Sequence, residues 1–133
     1  MTIQEAIKEA EARLPGIPAR ENEIDDRWQA IMQIENFIES DPQAVWKFIT
    51  RWAIHPSEDL RTAVATCLLE HLLDYDFPTY FSLAEAFAYE EPLFADTLSR
   101  CWKFGKTEKP NNAKRFDRLQ RYCKRYHVKG PIP

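Results

Sequence analysis

Apolar residues recur at three- and four-residue steps along successive segments of this chain, and prolines, glycines or helix-capping residues separate the segments. This spacing is the period of an α-helix that buries one face. No sustained run alternates apolar and polar residues around an Asn-Gly or Asp-Gly turn, so β-strands have little support. The sequence therefore predicts an all-α protein in which each helix hides one stripe.

The boundaries between these segments predict about seven helices. Thr2 and Glu5 form the pattern of a capping box at the start of the first helix. Gly105 is expected to cap the end of the sixth helix, and Asn112 the start of the seventh. The expected helices cover residues 3–14, 21–39, 42–54, 58–74, 77–89, 92–104 and 112–127.

Short connections between these segments predict that neighbouring helices run antiparallel and pack side by side. The expected architecture is one domain over residues 1–133, a short right-handed α-α superhelix. Within it we expect an acidic helical array over 1–104, a hinge over 105–111 and a basic C-terminal helix over 112–127. The core is expected to contain these aromatic residues: Trp28, Trp46, Phe48, Trp52, Phe81, Phe94 and Trp102.

The segment from Pro56 to Leu73 contains Asp59-Leu60-Arg61, followed by Val64, Cys67-Leu68 and Leu72. This pattern resembles the second helix of a HEAT-type repeat, and the resemblance covers one repeat, residues 42–73. The stretch over residues 100–105 is also similar to short bacterial HEAT-like proteins. The resemblance implies a helical solenoid that binds other macromolecules, with Arg61 paired to an acid of the adjacent unit.

Charge is distributed unevenly along the chain. Residues 1–102 carry 8 Lys and Arg against 19 Asp and Glu, whereas residues 103–133 carry 10 against 2. The formal net charge of −3 therefore conceals two regions of opposite sign. Such a distribution indicates a partner of opposite charge for one region or the other.

The last predicted helix carries the sharpest binding signal. Lys114, Arg118, Arg121 and Arg125 follow i, i+4, i+7, i+11 spacing and so share one face, which we call the basic ridge. The opposite, apolar side is expected to carry Phe116, Leu119, Cys123 and Tyr126. The ridge could follow a nucleic-acid phosphate backbone, with Tyr122 beside it for stacking, or bind an acidic protein. Alternatively, its charges solvate the helix or neutralise acidic helices of the same chain.

A second candidate surface lies near the start of the second predicted helix. Glu21, Glu23, Asp25 and Asp26 form a group that we call the acidic face. Acids suit the first turns of a helix because its amino-terminal end is positive. The acidic face could also bind a basic partner, as an immunity or inhibitor protein would.

Catalytic and metal-binding patterns are weak. His55, His71 and His127 are dispersed, so we expect no metal site and no cofactor. Cys67, His71 and Asp74 can be drawn as a triad, but their spacing predicts that the first two point into the core. The three cysteines lack C-x-x-C spacing and are expected to be buried and reduced.

The expected function is therefore non-enzymatic binding of a macromolecule. A protein-protein interaction through the charged faces is the first hypothesis, nucleic-acid binding through the basic ridge is the second, and an enzyme is the third. No apolar run is long enough to cross a bilayer, and no signal peptide is recognisable. We expect a cytoplasmic monomer or weak dimer without a membrane partner.

Overall fold

The structure, a computed structural model, describes residues 1–17 and 19–126. This part of the chain contains seven helices and no β-strand, which confirms the all-α prediction. The fourth helix is continuous through three segments, and short 3₁₀ turns occupy Gly105–Glu108 and Lys124–Tyr126. The helices are α1 Ile3–Arg13, α2 Asp26–Glu35, α3 Pro42–Trp52, α4 Glu58–Val64 with Ala65–Leu69 and Glu70–Tyr75, α5 Phe77–Glu90, α6 Pro92–Ser99 and α7 Pro110–Cys123.

Side-chain caps and prolines set most of the helix starts. The capping box of α1 is present, because the Thr2 hydroxyl accepts from the Glu5 amide at 3.1 Å and the Glu5 carboxylate accepts from the Thr2 amide at 3.2 Å. Proline occupies one of the first two positions of α3, α5, α6 and α7, where its missing N–H costs nothing. These local signals explain why the predicted helix starts at Ile3, Pro42 and Phe77 are correct.

The second helix is shorter than the prediction of residues 21–39. It begins at Asp26 because the Asp25 carboxylate accepts from the Arg27 amide at 2.9 Å and caps the helix. Beyond Glu35 the backbone tightens into turns with hydrogen bonds to the third residue back. Ile24, which falls inside the predicted range of this helix, therefore lies in the preceding loop with 75% of its surface exposed.

The fourth helix contains a π turn that the sequence analysis missed. At residues 65–69 hydrogen bonds reach the fifth residue back, as when the Glu70 amide bonds the Ala65 carbonyl. Such a turn takes up about one extra residue, so the inward face shifts by one position. Leu68, which the spacing also placed inward, is buried together with Leu72, whereas Cys67 and His71 are only half-buried. The prediction that His71 is a core residue is wrong, since 36% of its side chain is exposed.

Most of the predicted aromatic core is present. Phe48, Phe81 and Phe94 are buried. Three of the four tryptophans, Trp28, Trp46 and Trp52, are half-buried and pack against the core. Trp102 contradicts the prediction because 75% of its surface is exposed. The reason is that α6 ends at Ser99, so Trp102 lies in the connection to α7 rather than on a helical stripe.

Gly105 does not cap the sixth helix, as the sequence had suggested, but opens a 3₁₀ turn. Its φ of +58° and the Asp74 carboxylate packed against its Cα both favour glycine. The Asp74 carboxylate also accepts the Lys106 amide at 2.8 Å. The hinge predicted over residues 105–111 stays a prediction.

The seventh helix begins two residues earlier than predicted, at Pro110. Asn112 is therefore inside the helix, and its side-chain amide donates to the Lys106 carbonyl at 2.8 Å instead of capping the start. The predicted end of this helix at His127 lies outside the described residues. Within them the α-helix ends at Cys123 and continues as the 3₁₀ turn.

Helix α4 lies at the centre of the molecule. It contacts α2, α3 and α6, while α1 packs on α2, α5 on α6, and α7 on both α5 and α6. Two or three residues in each turn of α4 are buried, so most of its circumference faces protein. This packing leaves α7 at one end of the array with one face free.

Candidate binding surface

The orientation of α7 is set by three buried side chains. Phe116, Leu119 and Cys123 are each at most 1% exposed, as the apolar spacing predicted. Burial raises the pKa of the Cys123 thiol to about 12, so it is protonated at neutral pH. Anchoring this stripe turns the opposite side of α7 outward.

The basic ridge occupies that outward side. All four of its residues are exposed. The ion pairs found among residues 1–17 and 19–126 involve none of them. The neighbouring Lys103, by contrast, pairs with Asp117 of α7 at 2.7 Å. The ridge charges are therefore not neutralised by direct ion pairs with the described acidic side chains.

Aromatic rings border the ridge on one flank. Tyr89, at the end of α5, and Tyr122 of α7 have ring centroids 4.6 Å apart, and Tyr126 lies 5.4 Å from Tyr122. The Arg125 guanidinium lies 6.0 Å from the Tyr122 ring. We call these three residues the tyrosine strip. Sequence reasoning found Tyr122 but missed Tyr89. The available signal was that Tyr89 directly follows the buried Ala88, so its side chain leaves the helix in a different direction, towards the surface.

The opposite flank of α7 borders an open cavity of about 230 Å³. Trp102, Gln120 and Lys124 contribute to its lining. The Gln120 amide donates to the carbonyls of Leu98 at 3.2 Å and Cys101 at 2.8 Å, which fixes the connection after α6. Exposed Trp102 therefore stands beside the positive charge of Lys124.

The residues of the acidic face do not form one uniform surface. Glu21 and Glu23 are exposed in the loop before α2. Asp26 is exposed and has Arg13 at 3.6 Å. The Asp25 carboxylate accepts a hydrogen bond from the guanidinium of buried Arg27 at 2.8 Å. The same guanidinium donates to the Asp59 carboxylate at 2.5 Å.

These contacts change the chemistry of Asp25. Hydrogen bonds from Arg27 lower the pKa of the Asp25 carboxyl to about 2. The carboxylate is therefore ionised at neutral pH, but its charge is used inside the protein to hold the start of α2. Two residues of the acidic face, Glu21 and Glu23, are exposed and make no ion pair among the described residues.

Comparisons of the chain with protein-family models, curated proteins and solved structures gave no match.

A second open cleft of about 310 Å³ lies between the end of α2 and α4. Glu35, Glu39 and Asp74 line it together with His71. The His71 Nδ1 atom lies 3.3 Å from the Glu35 carboxylate, and its ring meets Phe104 edge-on with centroids 4.9 Å apart. His71 thus contacts Glu35 across the cleft instead of lying in the core as predicted.

The described residues contain no group of three or more His, Cys, Asp or Glu side chains that could hold a metal ion. In the same residues no helix is both long and apolar enough to span a bilayer. Of the two buried thiols, Cys101 has its pKa raised well above the ordinary value by burial. Among the described residues, the outward surface of α7 is the most clearly formed candidate for a binding site.

A buried ion pair connects the centre of the array to α6. The Arg61 and Asp96 side chains are both 0% exposed, and their atoms Nε and Oδ2 are 2.7 Å apart. The Arg100 Nε atom lies 3.0 Å from the same carboxylate oxygen. Arg61 also donates to the carbonyls of His55 and Pro56 at 2.8 and 2.7 Å. This network fixes α4 against α6, the helix on which α7 packs.

Proposed function

We propose that this protein is a non-enzymatic binding module that holds a nucleic-acid phosphate backbone against the basic ridge. The observation that carries the proposal is that all four basic side chains of the ridge are exposed and make no ion pair among the described residues. Lys114, Arg118 and Arg121 are regularly spaced along α7, and Arg125 lies in the 3₁₀ turn that continues it, so the row suits a partner whose negative charges are also linear. The acidic remainder of the chain would confine contact to this face.

Salt dependence tests this proposal directly. Four basic side chains that each displace counterions from a duplex predict a slope of about −4 in a plot of log affinity against log salt concentration. We expect Arg118→Glu with Arg121→Glu to abolish binding, because the centre of the ridge would then repel phosphate. Fluorescence anisotropy of a labelled duplex of about 20 base pairs at low salt measures both quantities.

The control variant is Lys8→Glu with Lys47→Glu. It changes the net charge by the same amount as the ridge variant, but at two exposed lysines on α1 and α3. Binding by this control at near wild-type affinity would support a local site. Absence of binding by the wild-type protein to both duplex and single-stranded nucleic acid at low salt would refute the proposal.

A protein-protein interaction is the second candidate function. Glu21 and Glu23 favour it, since both are exposed and neither makes an ion pair among the described residues. A basic protein could bind there, as in an inhibitor or immunity protein. A basic partner recovered by the wild-type protein, but not by Glu21→Lys with Glu23→Lys, would support this candidate.

The HEAT-like, right-handed superhelical arrangement belongs to the same proposal. The Arg61–Asp96 pair between α4 and α6 supports it, because the resemblance implied such a contact between adjacent units. Packing of helices mainly on their neighbours in the chain also fits a short solenoid. Such an array would act as a rigid support that presents α7.

A further inference from the structure

We infer that the tyrosine strip makes the basic ridge selective for single-stranded nucleic acid, with bases stacking on Tyr89 and Tyr122 while phosphates contact the ridge. This inference rests on the proposed function and adds the class of nucleic acid. It comes from a feature that only the tertiary structure creates. Tyr89 and Tyr122 belong to different helices and meet at the surface.

The tyrosine strip presents aromatic surface to solvent. Tyr89 is 54% exposed and Tyr126 is 36% exposed, whereas Tyr122 is half-buried against the core. The Tyr122 and Tyr126 hydroxyl groups are 3.4 Å apart, within hydrogen-bond distance. The three rings therefore form a contiguous and partly fixed aromatic surface rather than isolated exposed residues.

The strip is placed where a bound strand would reach it. Tyr122 lies one helical turn after Arg118, and the guanidinium of Arg125 lies 6.0 Å from its ring. A strand whose phosphates contact Arg118 and Arg125 would therefore bring its bases over the flank that carries Tyr122 and Tyr89. Positive groups beside aromatic rings are the combination that binds single strands without reading their sequence.

Selectivity follows from the availability of base faces. In a duplex the bases are stacked and paired inside the helix, so side chains at the surface meet phosphates and groove edges. In a single strand each base can present its face to a tyrosine. The basic ridge can contact the phosphates of both forms, but only a single strand can also stack its bases on the tyrosine strip.

The experiment compares labelled oligo(dT) of about 20 nucleotides with a duplex of about 20 base pairs at the same low salt. We expect the wild-type protein to bind oligo(dT) about tenfold more tightly. Tyr89→Ala should weaken oligo(dT) binding about five- to tenfold and leave duplex affinity and the salt slope unchanged. Tyr89→Phe should restore wild-type binding because the ring is kept.

Tyr75→Ala is the matched control, since Tyr75 is an exposed tyrosine at the end of α4 that lies outside the strip. Equal affinity of the wild-type protein for both probes would overturn the inference while leaving the proposed function intact. So would a Tyr89→Ala variant that binds oligo(dT) normally or loses both probes equally. No binding of either probe would overturn both the inference and the proposed function.

Discussion

At the scale of single residues, the Arg61–Asp96 pair is the contact whose loss should cost most. Both side chains are fully buried, and Asp96 also faces Arg100. Burying two charges is expensive, so such a pair adds little over an apolar one, but removing one partner leaves a buried charge uncompensated. The pair is therefore better understood as fixing how α4 meets α6 than as a large source of stability.

Asp96→Asn should lower the free energy of unfolding by about 3–5 kcal/mol, because the amide carries no charge to balance the buried Arg61 guanidinium, whereas Arg100 keeps Glu58 at 3.0 Å. Urea unfolding at neutral pH, followed by circular dichroism, measures this loss. Asp117→Asn is the control, since its partially exposed pair with Lys103 should contribute less than about 1 kcal/mol. Equal unfolding midpoints for the two variants would contradict the structural interpretation.

At the scale of an element, the π turn in α4 decides which residues enter the core. Leu60 and Val64 before the turn are buried, as are Leu68 within the turn and Leu72 after it. Under regular α-helical spacing Cys67 and His71 would have followed Val64 inward. The extra residue of the π turn instead leaves His71 in the cleft opposite Glu35.

Deletion of Cys67 should be tolerated, because removing one residue from the π turn allows a regular α-helix that keeps Leu68 and Leu72 inward. Deletion of Ser82 in the regular helix α5 should cost at least about 2 kcal/mol more, because it rotates one side of that helix out of the core. Thermal unfolding of both proteins measures the difference. Similar losses in the two deletions would show that α4 does not use its π turn this way.

At the scale of the whole molecule, charge separation matters more than net charge. The chain carries a formal charge of −3, yet the four basic side chains of the ridge, which make no ion pair among the described residues, stand together on the outward side of α7 and of the 3₁₀ turn after it. A surface responds to the field next to it, and salt screens charges more than about 10 Å away at 0.1 M ionic strength. A negatively charged protein can therefore bind an anionic surface through one helix.

We expect the wild-type protein to be retained by a sulfonate cation exchanger at pH 7 and low salt, because the matrix meets the ridge before it meets the acidic helices. Arg118→Glu with Arg121→Glu should elute in the flow-through. Lys8→Glu with Lys47→Glu should still be retained despite its identical net charge. Co-elution of the two variants would show that net charge alone controls retention.

The local signals in the sequence predicted much of the fold. Apolar periodicity identified seven helices, and the Thr2 capping box and the prolines placed several of their starts. The same periodicity placed Phe116, Leu119 and Cys123 correctly on the buried side of α7, but it also placed Tyr126 there, which is 36% exposed. These predictions succeeded because a cap or an apolar stripe is a property of residues within a few positions of one another.

Tertiary contacts decided the rest. Arg27 recruits Asp25 away from the acidic face, and Asp74 packs against Gly105 to start a turn where the sequence suggested a helix end. The meeting of Tyr89 with Tyr122 joins residues from two helices. The sequence alone thus determined which segments are helical and which stripes they bury, since both follow from short-range spacing. Only the tertiary structure decided which charges remain free and which rings meet, because those depend on residues distant in the chain.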